Sequence, residues 1–195
     1  MIILFSGGID STLLVLDALS KGHNVLLLHY MYKHAAQWAE LEAAEKIYIK
    51  LKRKYGESIR LSRVSMEIVA DSDIGHGVKG ARVIGNRNAV FLNHAINIAY
   101  SQGIKTIQYG AVLDDEADYV DCRVGFLNKI NAIAQDWGVK VEAPYMFTSK
   151  VKLLESIPDA KILNLASSCY EPEYNFDNKS WIACGTCNSC KSNQV

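Results

Sequence analysis

The chain has 195 residues, 49% of them hydrophobic and 22% charged, a size and balance that suit one globular domain and exclude a disordered or fibrous chain. Its 21 lysines and arginines equal its 21 aspartates and glutamates, so no global positive charge draws a polyanion, and nucleic acid is not an expected partner. No stretch reaches the ~20 apolar residues of a membrane span, and the N-terminal run Met1 to Phe5 lacks the charged leader of a signal peptide, so a cytoplasmic protein without a membrane partner is expected.

Residues 2–6 read as a buried strand, and residues 11–20 as a helix ended by Lys21-Gly22. Between them lies Ser6-Gly7-Gly8-Ile9-Asp10-Ser11. A glycine pair between strand and helix lets backbone N–H groups and a helix N-terminus converge on an anion. Ser6 and Ser11 add hydroxyls, and Asp10 either caps the helix or helps hold Mg2+. A plain tight turn is the simpler alternative, and the absence of a lysine after the glycines rules out a Walker loop.

Residues 24–30 form a second continuous apolar run of strand length, residues 38–54 a helix rich in Ala, Glu, Lys and Leu, and residues 59–64 a third strand. Lys46, Lys50, Lys52, Arg53 and Lys54 fall on that helix and read as a solvated face. The stretch 71–86, with Gly75, Gly77, Gly80 and Gly85, is the longest loop. A helix over 87–100, a strand over 106–112, a helix over 122–137 and a short strand over 139–141 complete the alternation. The pattern predicts an α/β fold: a doubly wound, mostly parallel sheet with helices on both faces, its ligand crevice at the carboxyl ends of the strands.

Periodicity ends near residue 167, giving a main domain over 1–166 and a metal-binding C-terminal segment over 167–195 packed on it. Cys184, Cys187 and Cys190 are each separated by two residues, a spacing that aims three thiolates at one ion, with Cys169 as the candidate fourth ligand. A closed structural Zn2+ site is expected; an iron–sulfur cluster and a redox-active pair are the alternatives. Cys122 reads as a small buried apolar residue.

The six-residue loop resembles the PP-loop of ATP pyrophosphatases, whose fold is Rossmann-like, of the adenine nucleotide alpha-hydrolase type. Together with Arg87-Asn88, Phe91-Leu92, Gly110, Asp115, Tyr119, Asp121-Cys122-Arg123, Phe126, Glu142, Pro144, Met146, Lys150, Cys169-Tyr170 and the cysteine triplet, it resembles the QueC family of 7-cyano-7-deazaguanine synthases. That resemblance covers nearly the whole chain. It implies conversion of 7-carboxy-7-deazaguanine and ammonia to the nitrile preQ0, with ATP activating the carboxylate and then the amide, and with Mg2+ and structural Zn2+.

Carried onto these positions, the resemblance implies that Ser6, Gly7, Gly8, Asp10 and Ser11 cradle the phosphates and that Lys150 offsets their charge. Arg87 and Asn88 lie near nucleotide or substrate. Tyr119, Asp121 and Arg123 supply an aromatic face, a carboxylate for the guanine-like edge, and a cation for the substrate carboxylate. A homodimer is the assembly left open. The chain departs from the family pattern at Tyr30-Met-Tyr-Lys-His34, where Tyr-Gly-Gln-Arg-His is usual, and at Asn86, where glycine is usual. A relative adenylating another carboxylate and an RNA-modifying thiolase are the alternative functions.

Overall fold

The computed structural model describes residues 1–68, 84–117, 119–155 and 160–192. In chain order its elements are β1 (Ile2–Leu4), α1 (Ile9–Ser20), β2 (Val25–Met31), α2 (Gln37–Tyr55), β3 (Ile59–Ser65), α3 (Arg87–Ser101), β4 (Thr106–Gln108), α4 (Val124–Ala134), β5 (Lys140–Glu142), α5 (Lys150–Glu155), β6 (Glu173–Asn175), β7 (Ser180–Ile182) and α6 (Asn188–Ser192). The first five strands form one sheet in the order β3-β2-β1-β4-β5, with every pair parallel. After β3 the chain crosses to the other side of β1. That reversal opens a crevice beyond the carboxyl ends of β1 and β4.

Strand residues alternate between two layers because successive side chains point to opposite faces. Ile2, Leu26, Leu28 and Ile107 pack with Leu92, Ala95 and Ile96 of α3 and with Ile130 and Ala134 of α4. Ile3, Phe5, Leu27 and Ile59 pack with Leu14, Val15 and Ala18 of α1 and with Ala44, Ile47 and Leu51 of α2. Each such buried Ile, Leu, Val or Phe side chain contributes about 1.5–3 kcal/mol by leaving water. The sheet edge at β3 carries exposed Arg60 and Arg63, the latter paired with Glu45 of α2, and such charges discourage pairing with another sheet. On the far side of α2, Lys46, Lys50, Arg53 and Lys54 are exposed, the solvated face the sequence indicates.

Two elements differ from the sequence reading. The expected strand over 106–112 ends at Gln108, because Gly110 is pressed against the start of α1: a Cβ on it would lie 3.2 Å from the Ser11 nitrogen. The backbone turns there, the Ala111 N–H donating to the Tyr109 carbonyl at 3.1 Å. The expected helix over 122–137 begins at Val124, after a 3₁₀ turn at Val120–Cys122, and its last turn is 3₁₀. The glycine-rich loop lies, through residue 83, outside the described residues.

The C-terminal region has more regular structure than its composition suggests. A 3₁₀ turn at Ala160–Leu165 seats Ile162 in the α1/α2 layer. Beyond it, β6 and β7 form an antiparallel hairpin whose Tyr174 ring packs on Trp181 and Phe176, and α6 follows. Among the described residues no helix is long and apolar enough to cross a membrane.

Candidate active site and metal centre

β1 delivers Ser6 to Ser11 to the switch point. Gly7 has φ +88°, and a Cβ on it would lie 2.8 Å from the Ala44 nitrogen and the Glu40 carbonyl oxygen of α2, so only glycine fits without displacing backbone. Gly8 stands at the N-cap of α1 and supplies no side chain to its N–H groups. Its carbonyl instead accepts from the Thr12 hydroxyl at 2.7 Å and the Ser11 hydroxyl at 3.1 Å. The Gly8 N–H donates to the Ser6 hydroxyl and the Ile9 N–H to the Ser168 hydroxyl, both at 3.2 Å. Ser6 and Ser11 hydroxyls are 3.2 Å apart. Donors and hydroxyls thus converge at one helix N-terminus, the arrangement that binds phosphate.

Asp10 projects from the first turn of α1. Its Oδ2 lies 3.5 Å from Lys150 Nζ, while its buried Oδ1 has no hydrogen-bond partner among the described residues. Burial raises the Asp10 pKa above the usual carboxylate range, and Lys150 opposes that rise. A buried carboxylate oxygen without a donor, beside a phosphate cradle, suits a hard cation such as Mg2+.

On the other flank, Asn88 Nδ2 of α3 donates to Asp121 Oδ2 at 2.7 Å, and the Asp121 carbonyl accepts from the Tyr109 hydroxyl at 3.1 Å. Arg87, the first residue of α3, donates through Nη1 to the Tyr32 hydroxyl at 2.8 Å and lies over the Tyr32 ring, 5.8 Å from its centroid. Its buried Nε has no partner among the described residues. Cys122 is buried between the flanks, within electrostatic reach of Asp10, Asp115, Asp121 and Arg87; burial first and those carboxylates next push its thiol up to about 12, so it stays neutral, the small buried residue the sequence suggests.

Tyr119 and Tyr170 share a hydroxyl contact of 3.2 Å, linking the crevice to the C-terminal region. Arg123 is exposed, its Nε and Nη2 donating to the Glu116 and Ala117 carbonyls at 3.0 and 3.1 Å. Of the residues singled out by sequence, then, the loop and Lys150 come together, Arg87, Asn88 and Asp121 come together, and Arg123 braces its own loop.

Three participants escaped sequence reading. Ser167 and Ser168 close over the PP-loop, the Ser167 N–H donating to the Gly7 carbonyl at 3.0 Å. The signal for them was two hydroxyls directly before Cys169. Glu40 of α2 lies near Arg87 and 3.8 Å from His34, and its helical context hides it among other surface glutamates.

Cys169, Cys184, Cys187 and Cys190 place their sulfurs within 4.8 Å of one another. Four thiolates at ~2.3 Å around a tetrahedral ion stand about 3.8 Å apart, and the Cys184 and Cys190 sulfurs are 4.0 Å apart. The Cys184 N–H points at Cys169 Sγ (3.2 Å) and the Cys190 N–H at Cys187 Sγ (3.4 Å). Backbone N–H groups of Thr186 and Cys187 pull the Cys184 thiol down to about 6, favouring the thiolate that binds metal. No sulfur pair is bonded as a disulfide.

The family model described as queuosine biosynthesis protein QueC matches residues 1–194. This chain belongs to the QueC family. Curated relatives named 7-cyano-7-deazaguanine synthase include that of Campylobacter curvus, 27% identical over 96% of this chain and 88% of its own length. That of Methanospirillum hungatei is 28% identical over 96% and 89%, and that of Helicobacter acinonychis 29% over 97% and 92%. Among solved structures, U34-tRNA thiolase NcsA from Methanococcus maripaludis, which carries a 4Fe-4S cluster, shares the fold with TM-score 0.52 and 17% identity over 84% of this chain and 57% of its own. In this QueC member the PP-loop lies at the reversal of strand order, Asp121 bonds Asn88 at the start of α3, and Ser167 and Ser168, just before Cys169, join the loop to the C-terminal region.

Proposed function

We propose that the enzyme makes 7-cyano-7-deazaguanine from 7-carboxy-7-deazaguanine and ammonia, cleaving two ATP to AMP and pyrophosphate, one for each adenylation. The observation that carries this reading is the PP-loop at the β1/β4 switch point within a chain that matches the QueC model from end to end. ATP phosphates lie on the N–H groups of residues 8 and 9 and the hydroxyls of Ser6 and Ser11, displacing the Ser168 contact. Asp10 would hold Mg2+, which would supply charge neutralisation, and Lys150, now paired with Asp10, would reach a phosphate oxygen.

The substrate carboxylate attacks the α-phosphorus and pyrophosphate leaves. Ammonia then displaces AMP from the acyl adenylate to give the amide, and a second adenylation on the amide oxygen lets the C–N triple bond form as AMP departs with loss of the amide protons. Adenylation replaces an oxide with a stable leaving group, which ammonia attack at neutral pH requires. Tyr119 stacks on the deazapurine and Asp121 accepts from its guanine-like edge, with Asn88 holding Asp121 in place. The four cysteines would hold Zn2+ as a closed staple that takes no part in the chemistry itself but fixes the segment bordering the nucleotide loop. A cytoplasmic setting, where thiols stay reduced, fits that site.

Incubation with 7-carboxy-7-deazaguanine, ammonium, ATP and Mg2+ is expected to yield AMP and the nitrile together. ATP cleavage independent of the acid, or AMP without nitrile, contradicts the proposal.

A further inference from the structure

Four side chains from three separate elements meet at the carboxyl end of β2. Arg87 comes from α3, Glu40 from α2, and Tyr32 and His34 from the turn after β2. Arg87 has one hydrogen bond to Tyr32, a ring beneath it, and a buried Nε–H with no partner among the described residues. The Tyr32 ring is itself covered by His34, with centroids 4.2 Å apart. Glu40 lies 3.8 Å from His34 and within electrostatic reach of Arg87, and Asp121 adds a further negative charge acting on Arg87. A buried guanidinium nitrogen with an unused N–H is costly unless an acceptor completes it.

The reading given above needs a cation for the substrate carboxylate. Arg123 is poorly placed for it, since it is exposed and two of its donors already hold backbone carbonyls. Half-buried Arg87 keeps an Nε–H unpaired among the described residues, and it has the planar fork that matches a carboxylate. Resting on that reading, we infer that Arg87 receives the carboxylate of 7-carboxy-7-deazaguanine, and that Glu40, its counter-charge in the free enzyme, takes up a proton from solvent when the carboxylate arrives.

Two anions cannot share one buried cation without strong repulsion, and the group able to relinquish its charge is Glu40. Burial already pushes its carboxyl up to about 7, with Arg87 holding it from rising further. His34 does not substitute for it: burial, then Arg87 and His29, lower its imidazole to about 4, so it is neutral near pH 7. Burial likewise raises the Tyr32 pKa, so its phenol stays protonated. The substrate carboxylate and Glu40 thus exchange the negative charge opposite Arg87, and conversion of the carboxylate to the uncharged acyl group of the adenylate, whose remaining charge lies on the phosphate, returns it to Glu40 as the proton goes back to solvent.

Carboxylate binding that requires protonated Glu40 is strongest below pH 7 and weakens as pH rises through it, by about tenfold per unit at the limit. The experiment is steady-state kinetics from pH 6 to 8.5 on the wild type, E40Q and R87K, with thermal melts confirming folding. Expected are a KM for the acid that rises with pH above 7 in the wild type and is flat in E40Q, where glutamine is permanently neutral. R87K is expected to raise KM for the acid about tenfold or more while KM for ATP stays within about twofold. A flat wild-type profile, an E40Q profile that keeps the wild-type slope, or an R87K effect on ATP alone overturns the inference; if R87K does not fold, the E40Q comparison decides. A wild type that turns over the acid but shows any of those results leaves the synthase reading standing, whereas a wild type inert toward the acid removes both.

Discussion

Asp10 is pulled two ways, since burial raises its carboxyl pKa while Lys150 lowers it. If this carboxylate holds Mg2+, protons compete with the cation at a higher pH than they would at an ordinary aspartate, so KM for Mg·ATP is expected to rise as pH falls, beginning above the usual aspartate range. Asp10→Asn removes that competition and most of the turnover, by about 10²-fold or more, with the melting temperature nearly unchanged. Acid-dependent AMP release as a function of Mg2+ checks both; full activity in the variant would remove Asp10 from the site. At this scale sequence revealed the residues whose chemistry is local: the PP-loop hydroxyls and Asp10 follow from adjacency to a strand and a helix. Glu40 and Ser168 did not show, because their importance comes from elements far apart in sequence meeting in space.

Among elements, the loop between β1 and α1 is fixed by close packing as much as by hydrogen bonds. A Cβ at position 7 meets backbone atoms of α2 at 2.8 Å and sits at positive φ. Gly7→Ala is therefore expected to destabilise the fold by about 2–4 kcal/mol, lowering the melting temperature by roughly 5–15 °C for a chain of this length, with loss of ATP binding. Gly110→Ala, with contacts of 3.2–3.4 Å to the start of α1, is milder in stability but shifts the loop. A Gly7→Ala variant as stable as the wild type contradicts this packing account. Long apolar or alternating segments such as β2 and α2 were legible because burial on both faces, or on one stripe, writes itself into composition. β4 was read too long, since beyond Tyr109, whose N–H still donates to Glu142 of β5, Gly110 turns against α1, Ala111 packs in the α3/α4 layer and Val112 packs with Leu13 of α1. The β6–β7 hairpin was invisible because its strands have three residues each and lean on aromatic contacts.

Across the whole molecule, the cysteine cluster ties the C-terminal region together while Ser167 and Ser168 fasten its start to the PP-loop. Zinc removal by a strong chelator, or Cys187→Ser, is expected to increase hydrogen exchange over residues 167–192 and to weaken ATP binding only as a consequence, with the parallel sheet retained. Mass spectrometry is expected to find one zinc per chain. Iron in its place, or unchanged exchange without metal, contradicts the staple. The closed four-cysteine set was foreseeable from spacing, but its contact with the nucleotide loop was not, because two serines carry it.

The central claim is that the crevice at the β1/β4 switch point uses ATP to activate the carboxylate of a deazaguanine. Single-turnover incubation of the enzyme with α-32P-labelled ATP, Mg2+ and 7-carboxy-7-deazaguanine, with ammonium withheld, tests it most directly. The account predicts labelled acyl adenylate that appears only with the acid and collapses to AMP and amide when ammonium is added. Label that stays in ATP, or AMP formed equally without the acid, contradicts it.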